Sequence, residues 1–242
     1  MSIRNHARIN HANANANRLP RLEIADGTIE GLKWLALVLM VLDHVNKYLL
    51  HDSVPVMFAA GRLSMPLFGF VLAYNLARPG TLANGVYLRL IKRLIMTGAV
   101  ASLPFIALGG LLAGWWPLNI IVTLLTAVSI MYLTEKGGKM SVALAVILFF
   151  IGGGLVEFWW FALVICLAAW RYCKTPSWSA LITWIVATAA LYLINRDLWA
   201  LAAFPIVFLT PYLPLKIPRL RMAFYAFYPI HLAAIWAVAR QF

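Results

Sequence analysis

Apolar and polar positions alternate along this chain on the scale of whole helices. Nine apolar stretches, at roughly 32–50, 56–77, 87–108, 117–134, 140–156, 158–170, 177–194, 198–213 and 222–239, are separated by short polar turns. A helix that crosses a bilayer needs about 20 mostly apolar residues, with a lower limit near 17. The pattern therefore predicts an all-α integral membrane protein, a polytopic helical bundle of about nine transmembrane helices. The fifth, sixth and eighth stretches are short. The fifth and sixth are divided only by Gly152-Gly153-Gly154 and Glu157, which suits a tight hairpin or a re-entrant pair. Eight spans therefore remain open beside nine.

Composition agrees with the pattern. Hydrophobic residues make up 63% of the 242 and charged residues 12%, against about half and a quarter in a soluble domain. No polar stretch is long enough to form a separate soluble domain. Residues 1–30 are polar, include the low-complexity run HANANAN, and read as a disordered basic cytoplasmic tail. Residues 31–242 form the transmembrane domain. No apolar core follows the early basic residues closely enough for a cleaved signal peptide, so the first stretch reads as an uncleaved signal anchor.

The net charge of +12 would suit a nucleic-acid binder, but its distribution excludes that reading. With nine spans and a cytoplasmic N-terminus, all but four of the 20 lysines and arginines fall on the cytoplasmic side. The exceptions are Lys47, Arg62, Arg196 and Arg240. That is the positive-inside pattern, and it places the C-terminus outside. Cys166 lies in an apolar run and Cys173 in a basic loop, so no disulfide framework is expected.

Candidate chemistry begins where ionisable residues interrupt the apolar runs, because such residues are costly in a membrane and usually functional. In LKWLALVLMVLDHVNKYLL (32–50), Met40, Asp43, His44 and Lys47 share one helical face. A carboxylate near an imidazole can make it a general base. Neighbouring residues point about 100° apart on a helix, so Asp43 has two candidate partners, His44 and Arg62. Arg62, in GRLSMPLFGFVLAYNLAR, is equally suited to bind a ligand anion, and Pro66 in the same block is expected to kink its helix. In FYAFYPIHL, Tyr228 and His231 flank Pro229. They fit a general acid or acyl hydrogen-bond donor, or a helix-packing hydrogen bond. Arg89, Lys92 and Arg93 follow an i, i+3, i+4 spacing at an inner helix end, where they suit phosphates or lipid head groups. The Asn119, Thr123 and Thr126 stripe reads as helix packing. Trp115, Trp116, Trp159, Trp160 and Trp199 read as interface anchors. No His-x-x-x-His, Cys-x-x-Cys, G-x-S-x-G or phosphate-binding glycine loop is present, so no metal is expected.

The blocks LALVLMVLDHVNKYL, GRLSMPLFGFVLAYNLAR, YLRLIKRL with SLPF, and FYAFYPIHL, in this order and spacing, resemble the TraX family. These are the conjugal-transfer pilin acetylases of Gram-negative bacteria. The chain is also distantly similar to transmembrane acyltransferases. The resemblance implies a multi-pass inner-membrane enzyme that transfers acetyl from acetyl-CoA to the N-terminal amine of pilin during pilus biogenesis. Its partners would be a pilin subunit and membrane lipids. Carried onto this chain, the resemblance covers Asp43, His44, Arg62, Pro66, Phe68, Arg89, Tyr228, Pro229 and His231.

The mechanism expected from these readings has His44, assisted by Asp43, as base. Arg62, Tyr228 or His231 would stabilise the oxyanion, and Arg89, Arg93 and Lys92 would hold the phosphates of acetyl-CoA. Direct transfer and an acetyl-histidine intermediate both remain open. Two other classes compete: a proton-coupled transporter or flippase using Asp43 and His44, and a pilin-binding membrane scaffold without chemistry.

Overall fold

A computed structural model describes residues 19–241. Among them the chain is helical and has no strand; a single isolated bridge joins Leu118 and Val156. Each apolar stretch becomes one helical segment. The first is α1 (Asp26–Leu49). The second is α2 (Pro55–Gly61) followed by α3 (Ser64–Leu76). Then come α4 (Val86–Ala107), α5 (Ile120–Lys136), α6 (Lys139–Leu155) and α7 (Trp159–Lys174). The seventh is α8 (Trp178–Ala189) continued by α9 (Tyr192–Asn195). The eighth is broken into a 3-10 turn (Trp199–Ala202), α10 (Ala203–Leu209) and a second 3-10 turn (Thr210–Tyr212). The last is α11 (Arg221–Ala239).

Four of these segments, Pro55–Leu76, Val86–Ala107, Trp178–Asn195 and Met222–Ala239, are long and apolar enough to cross a membrane. With the composition, they mark a membrane protein. Helix α1 is longer, at 24 residues, but Lys33, Asp43 and Lys47 interrupt its apolar run. Helices α5 and α7, at 17 and 16 residues, rise only about 26 and 24 Å at 1.5 Å per residue.

Two boundaries differ from the sequence reading, and a third agrees with it. Helix α1 begins at Asp26, inside the stretch read as a disordered tail, and Ile24 and Glu30 are buried. The rest of that tail, residues 1–18, lies outside the described residues. The second segment breaks at Arg62-Leu63 rather than at Pro66. Pro66 falls in the first turn of α3, where a backbone N–H has no intrahelical partner to lose. The α6–α7 connection is a three-residue turn, Val156-Glu157-Phe158, the short link that the sequence reading expected between these two helices.

Helices α1, α3, α4, α5 and α11 enclose the centre of the molecule, while α7 packs on α3 and α8 on α7. Close backbone approach holds the α3–α7 contact: a Cβ on Gly69 would lie 3.1 Å from Cys166 Sγ, as expected where small residues let helices meet. Beside it Phe70 stacks on Trp184 with ring centroids 5.6 Å apart. The polar stripe on α5 serves packing. Asn119 donates to Ser102 Oγ (2.9 Å) and Gly98 O (3.3 Å) and caps α5 by accepting from Ile121 N. Cys166 and Cys173 are both free.

The segment after Tyr212 returns to the start of α1. Thr28 Oγ1 donates to Leu213 O at 2.5 Å and accepts from Leu215 N at 3.0 Å. The Leu215 carbonyl occupies the place a Cβ on Gly27 would need, so only glycine allows this contact. The residues leading into α11 are thereby laid against the first turn of α1.

Candidate active site

The polar face of α1 is divided between two partners. Asp43 forms an ion pair with Arg62, at the break between α2 and α3. Arg62 also donates to Asn195 Oδ1 (3.1 Å) and to Phe58 O (3.3 Å), and its guanidinium lies over the Phe58 ring at 4.2 Å. Its fork is thus engaged with protein groups on α1, α2 and α9. Asp43 makes no bond to His44, so the expected carboxylate–imidazole assistance is not formed. Behind the pair, Gly61 presses against Asp43, leaving no room for a Cβ.

His44 instead meets His231 of α11. Nδ1 of His44 lies 2.8 Å from Nε2 of His231, and the two rings are coplanar within 1°. Nδ1 of His231 lies 3.1 Å from the carbonyl oxygen of Phe227. A carbonyl only accepts, so His231 carries its proton on Nδ1 and presents a bare Nε2. His44 must then donate from Nδ1, and in the neutral pair its own Nε2 keeps a free lone pair. A backbone carbonyl thus fixes the tautomer of His231, and His231 fixes that of His44. The second ring takes the orienting part that sequence reasoning gave to Asp43.

Tyr228 is buried and lies edge-on to both histidines, with ring centroids 6.4 Å from His44 and 5.3 Å from His231. Its ring also closes one end of a cavity of about 400 Å³, within the range of ligand pockets. Met40 of α1 and Ile120 of α5 lie at the same end, one helical turn short of His44. The walls are apolar: Leu37, Phe68, Val71, Leu72, Leu90 and Leu124. At the other end stand four cations, Lys33, Arg89, Arg93 and Arg219, with the rings of Phe224 and Tyr225 between them. Lys33 Nζ lies 4.5 Å from the Phe224 centroid and Arg93 5.7 Å from that of Tyr225. Glu30, buried behind this rim, pairs with Lys33 at 2.6 Å and Arg219 at 3.5 Å. Lys33 and His44 are eleven residues apart on α1, a rise of about 16 Å.

The structure therefore gathers His44, His231 and Tyr228 around one point, and Arg89 and Arg93 at the far end of the cavity that leads to it. Lys92 is exposed and is not part of the lining. Sequence reasoning missed Lys33 and Arg219 as rim residues, because both read as ordinary basic decoration at helix ends. It gave no role to Glu157, although the rule that flagged Asp43, a lone carboxylate amid apolar residues, applies to it equally. No group of three or more metal-ligating side chains occurs among the described residues.

Comparison with known proteins bears on the whole chain. The family model "TraX protein" matches residues 28–239. Protein TraX of Escherichia coli is 32% identical over 124 residues, 51% of this chain and 47% of that protein. Protein TraX of Escherichia coli (strain K12) is 53% identical over 47 residues, 19% of this chain and 18% of that protein. These alignments span less than half of each relative's length. No solved structure matches. The family match runs from the first turn of α1 to the end of α11 and takes in every residue of the site, and the chain belongs to the TraX family.

Proposed function

We propose that this protein is a membrane-embedded acetyltransferase that moves acetyl from acetyl-CoA to the N-terminal amine of pilin during conjugative pilus biogenesis. It would sit in the inner membrane of a Gram-negative bacterium with its N-terminus in the cytoplasm, as the basic loops require. One observation carries the reading: a single apolar cavity joins a rim of cations and aromatic rings to Tyr228, which touches the His44–His231 dyad. The rim suits a donor with phosphates and a purine, and the apolar passage suits an uncharged arm bearing a thioester.

In this mechanism Arg89, Arg93, Lys33 and Arg219 hold the phosphates, and the thioester reaches Tyr228. A free α-amine has a pKa of about 7.7–8.0 and is largely protonated at neutral pH. His44 Nε2 takes one proton from the ammonium, and His231 keeps the ring oriented as it becomes charged. The neutral nitrogen attacks the thioester carbonyl carbon, and the carbonyl electrons move onto oxygen. The Tyr228 hydroxyl makes none of the hydrogen bonds found among the described residues and donates to that oxyanion. As the tetrahedral adduct collapses, the carbon–sulfur bond breaks and the second nitrogen proton passes to the departing sulfur. The products are an acetylated amine and free CoA thiol, and the first proton leaves through His44. Arg62 and Asp43 hold α1, α2 and α9 together and do not touch substrate.

The test is isotope transfer. Membranes containing the protein, supplied with acetyl-labelled acetyl-CoA and pilin, should yield pilin heavier by one acetyl group, with the label on its N-terminus. A transporter or flippase needs no acetyl-CoA, and a scaffold leaves the pilin mass unchanged, so either would show no transfer. Label retained on the protein with acetyl-CoA alone would point to an acetyl-histidine route.

A further inference from the structure

Glu157 occupies the three-residue turn between α6 and α7, and its backbone is fixed from two sides. Its N–H donates to Leu118 O at 2.9 Å, and its carbonyl accepts from Thr123 Oγ1 at 3.1 Å. The next two residues, Phe158 and Trp159, have φ of 60° and 51°, a left-handed conformation rare for bulky side chains. Such strain persists only where the surroundings over-determine it. Here those surroundings hold one carboxylate in place.

The side chain differs from the other inward carboxylates. Glu30 pairs with Lys33, Asp43 with Arg62 and Glu135 with Lys174. Glu157 makes none of the ion pairs or side-chain hydrogen bonds found among the described residues. Its electrostatic neighbours are Lys47, Asp43 and Arg62. Asp43 and Arg62 neutralise each other, and Lys47, whose ammonium lies 5.2 Å from the Tyr48 ring centroid, does not reach ion-pairing distance. Glu157 and the Tyr228 hydroxyl both lie close to the backbone N–H of Ile120, and Ile120 and Tyr228 line the deep end of the cavity. The turn thus places a carboxylate that forms no ion pair on the side of Tyr228 where the cavity ends.

We propose that Glu157 is the acceptor-binding residue, a carboxylate that receives the primary ammonium of the acceptor and holds it beside His44. A half-buried carboxylate held without an ion pair favours an incoming cation, and an ammonium brings three donors. The site would therefore select amines over hydroxyl acceptors and capture them charged, before His44 removes the proton. This inference rests on the acetyltransferase reading and adds to it the residue that receives the acceptor amine.

The test uses the full-length protein in membranes with labelled acetyl-CoA and a peptide bearing a free N-terminal amine. Glu157→Gln should raise KM for the peptide by roughly 10- to 100-fold, the loss expected for a charge-assisted hydrogen bond. Acetyl-CoA affinity should be unchanged, which also shows that the variant is folded. Glu157→Asp should recover part of the peptide KM. Normal transfer by wild type together with an unchanged peptide KM in Glu157→Gln would overturn the assignment of Glu157 and leave the acetyltransferase intact. If Glu157→Gln lost acetyl-CoA affinity as well, Glu157 would be a structural partner of Lys47, which also overturns the assignment. Absence of transfer by wild type would overturn the acetyltransferase reading, and this one with it.

Discussion

His44 and His231 share one hydrogen bond, 2.8 Å long, between the first described helix and the last. The bond makes His44 Nε2 the free basic atom of the pair. His44→Ala should lower acetyl transfer by roughly 100- to 10,000-fold, the usual contribution of a positioned base. His231→Ala should cost less, because the base survives without its orientation, and should shift the pH profile of kcat. His231→Gln can still accept from His44 Nδ1 and should recover part of the rate. Transfer rates in membranes across pH check this; a His231→Ala enzyme with an unaltered pH profile would remove His231 from the mechanism.

The rim predicts a graded donor effect. Arg89→Ala or Arg93→Ala should each weaken acetyl-CoA binding by roughly 10- to 100-fold, as expected for lost charge-assisted contacts to phosphate. Lys33→Ala and Arg219→Ala should act in the same direction. Lys92→Ala, outside the lining, should bind like wild type. Equilibrium binding of acetyl-CoA to purified protein distinguishes the two groups.

Asp43 and Arg62 should behave as a structural pair. Asp43→Asn leaves a partly buried guanidinium without its counter-ion and should destabilise the fold by about 3–5 kcal/mol. The double variant Asp43→Asn, Arg62→Met removes both charges and should recover most of that loss, with acetyl transfer retained. Thermal unfolding in detergent, read beside transfer activity, is the measurement. A double variant that is stable but inactive would assign Asp43 to the chemistry.

Gly61→Ala places a methyl group against Asp43. Overpacking of this kind costs about 1–3 kcal/mol, and it falls on the carboxylate that pairs with Arg62, so the melting temperature should fall even though no charge is removed. A melting temperature equal to wild type would show that the α1–α2 contact yields readily.

Asp26, in the first turn of α1, pairs with Arg78 at 2.5 Å. The hydrogen bond from Arg78, and then its charge, hold the Asp26 carboxyl below its ordinary range. The native carboxyl therefore binds a proton less readily than the unfolded one. Its stabilising contribution is present above the unfolded value of about 3.9 and fades as pH falls through the lower folded value. Wild type and Asp26→Asn should differ in stability at neutral pH and converge in acid, as read by unfolding in detergent.

The nine helical segments among the described residues were legible because each is an apolar run bounded by charge or turn residues. Local breaks were less so. Pro66 pointed to a kink, but a proline in a first helical turn loses no hydrogen bond, and the chain breaks one turn earlier at Arg62-Leu63. Asp43 and His44 were visible as misfits in an apolar helix, yet their partners were not. Adjacent helical residues face different neighbours, so Asp43 turns to Arg62 and His44 to a ring 187 residues further on. The rim has the same character: Arg89 and Arg93 announce themselves by spacing, whereas Lys33 and Arg219 join them only through the return of residues 213–220 to α1. Glu157 was hidden by where the span boundary was drawn, which made the proposed acceptor carboxylate look like an ordinary loop residue.

Thr28, by gripping Leu213 and Leu215, has a consequence for biosynthesis. A growing polypeptide displays His44 long before His231 exists, and the tether beside Gly27 joins the packing of α11 on α4 and α1 in holding the late helix in place. Unfinished or misassembled copies therefore lack both the mouth and the oriented imidazole, and the proposed chemistry depends on that final docking event.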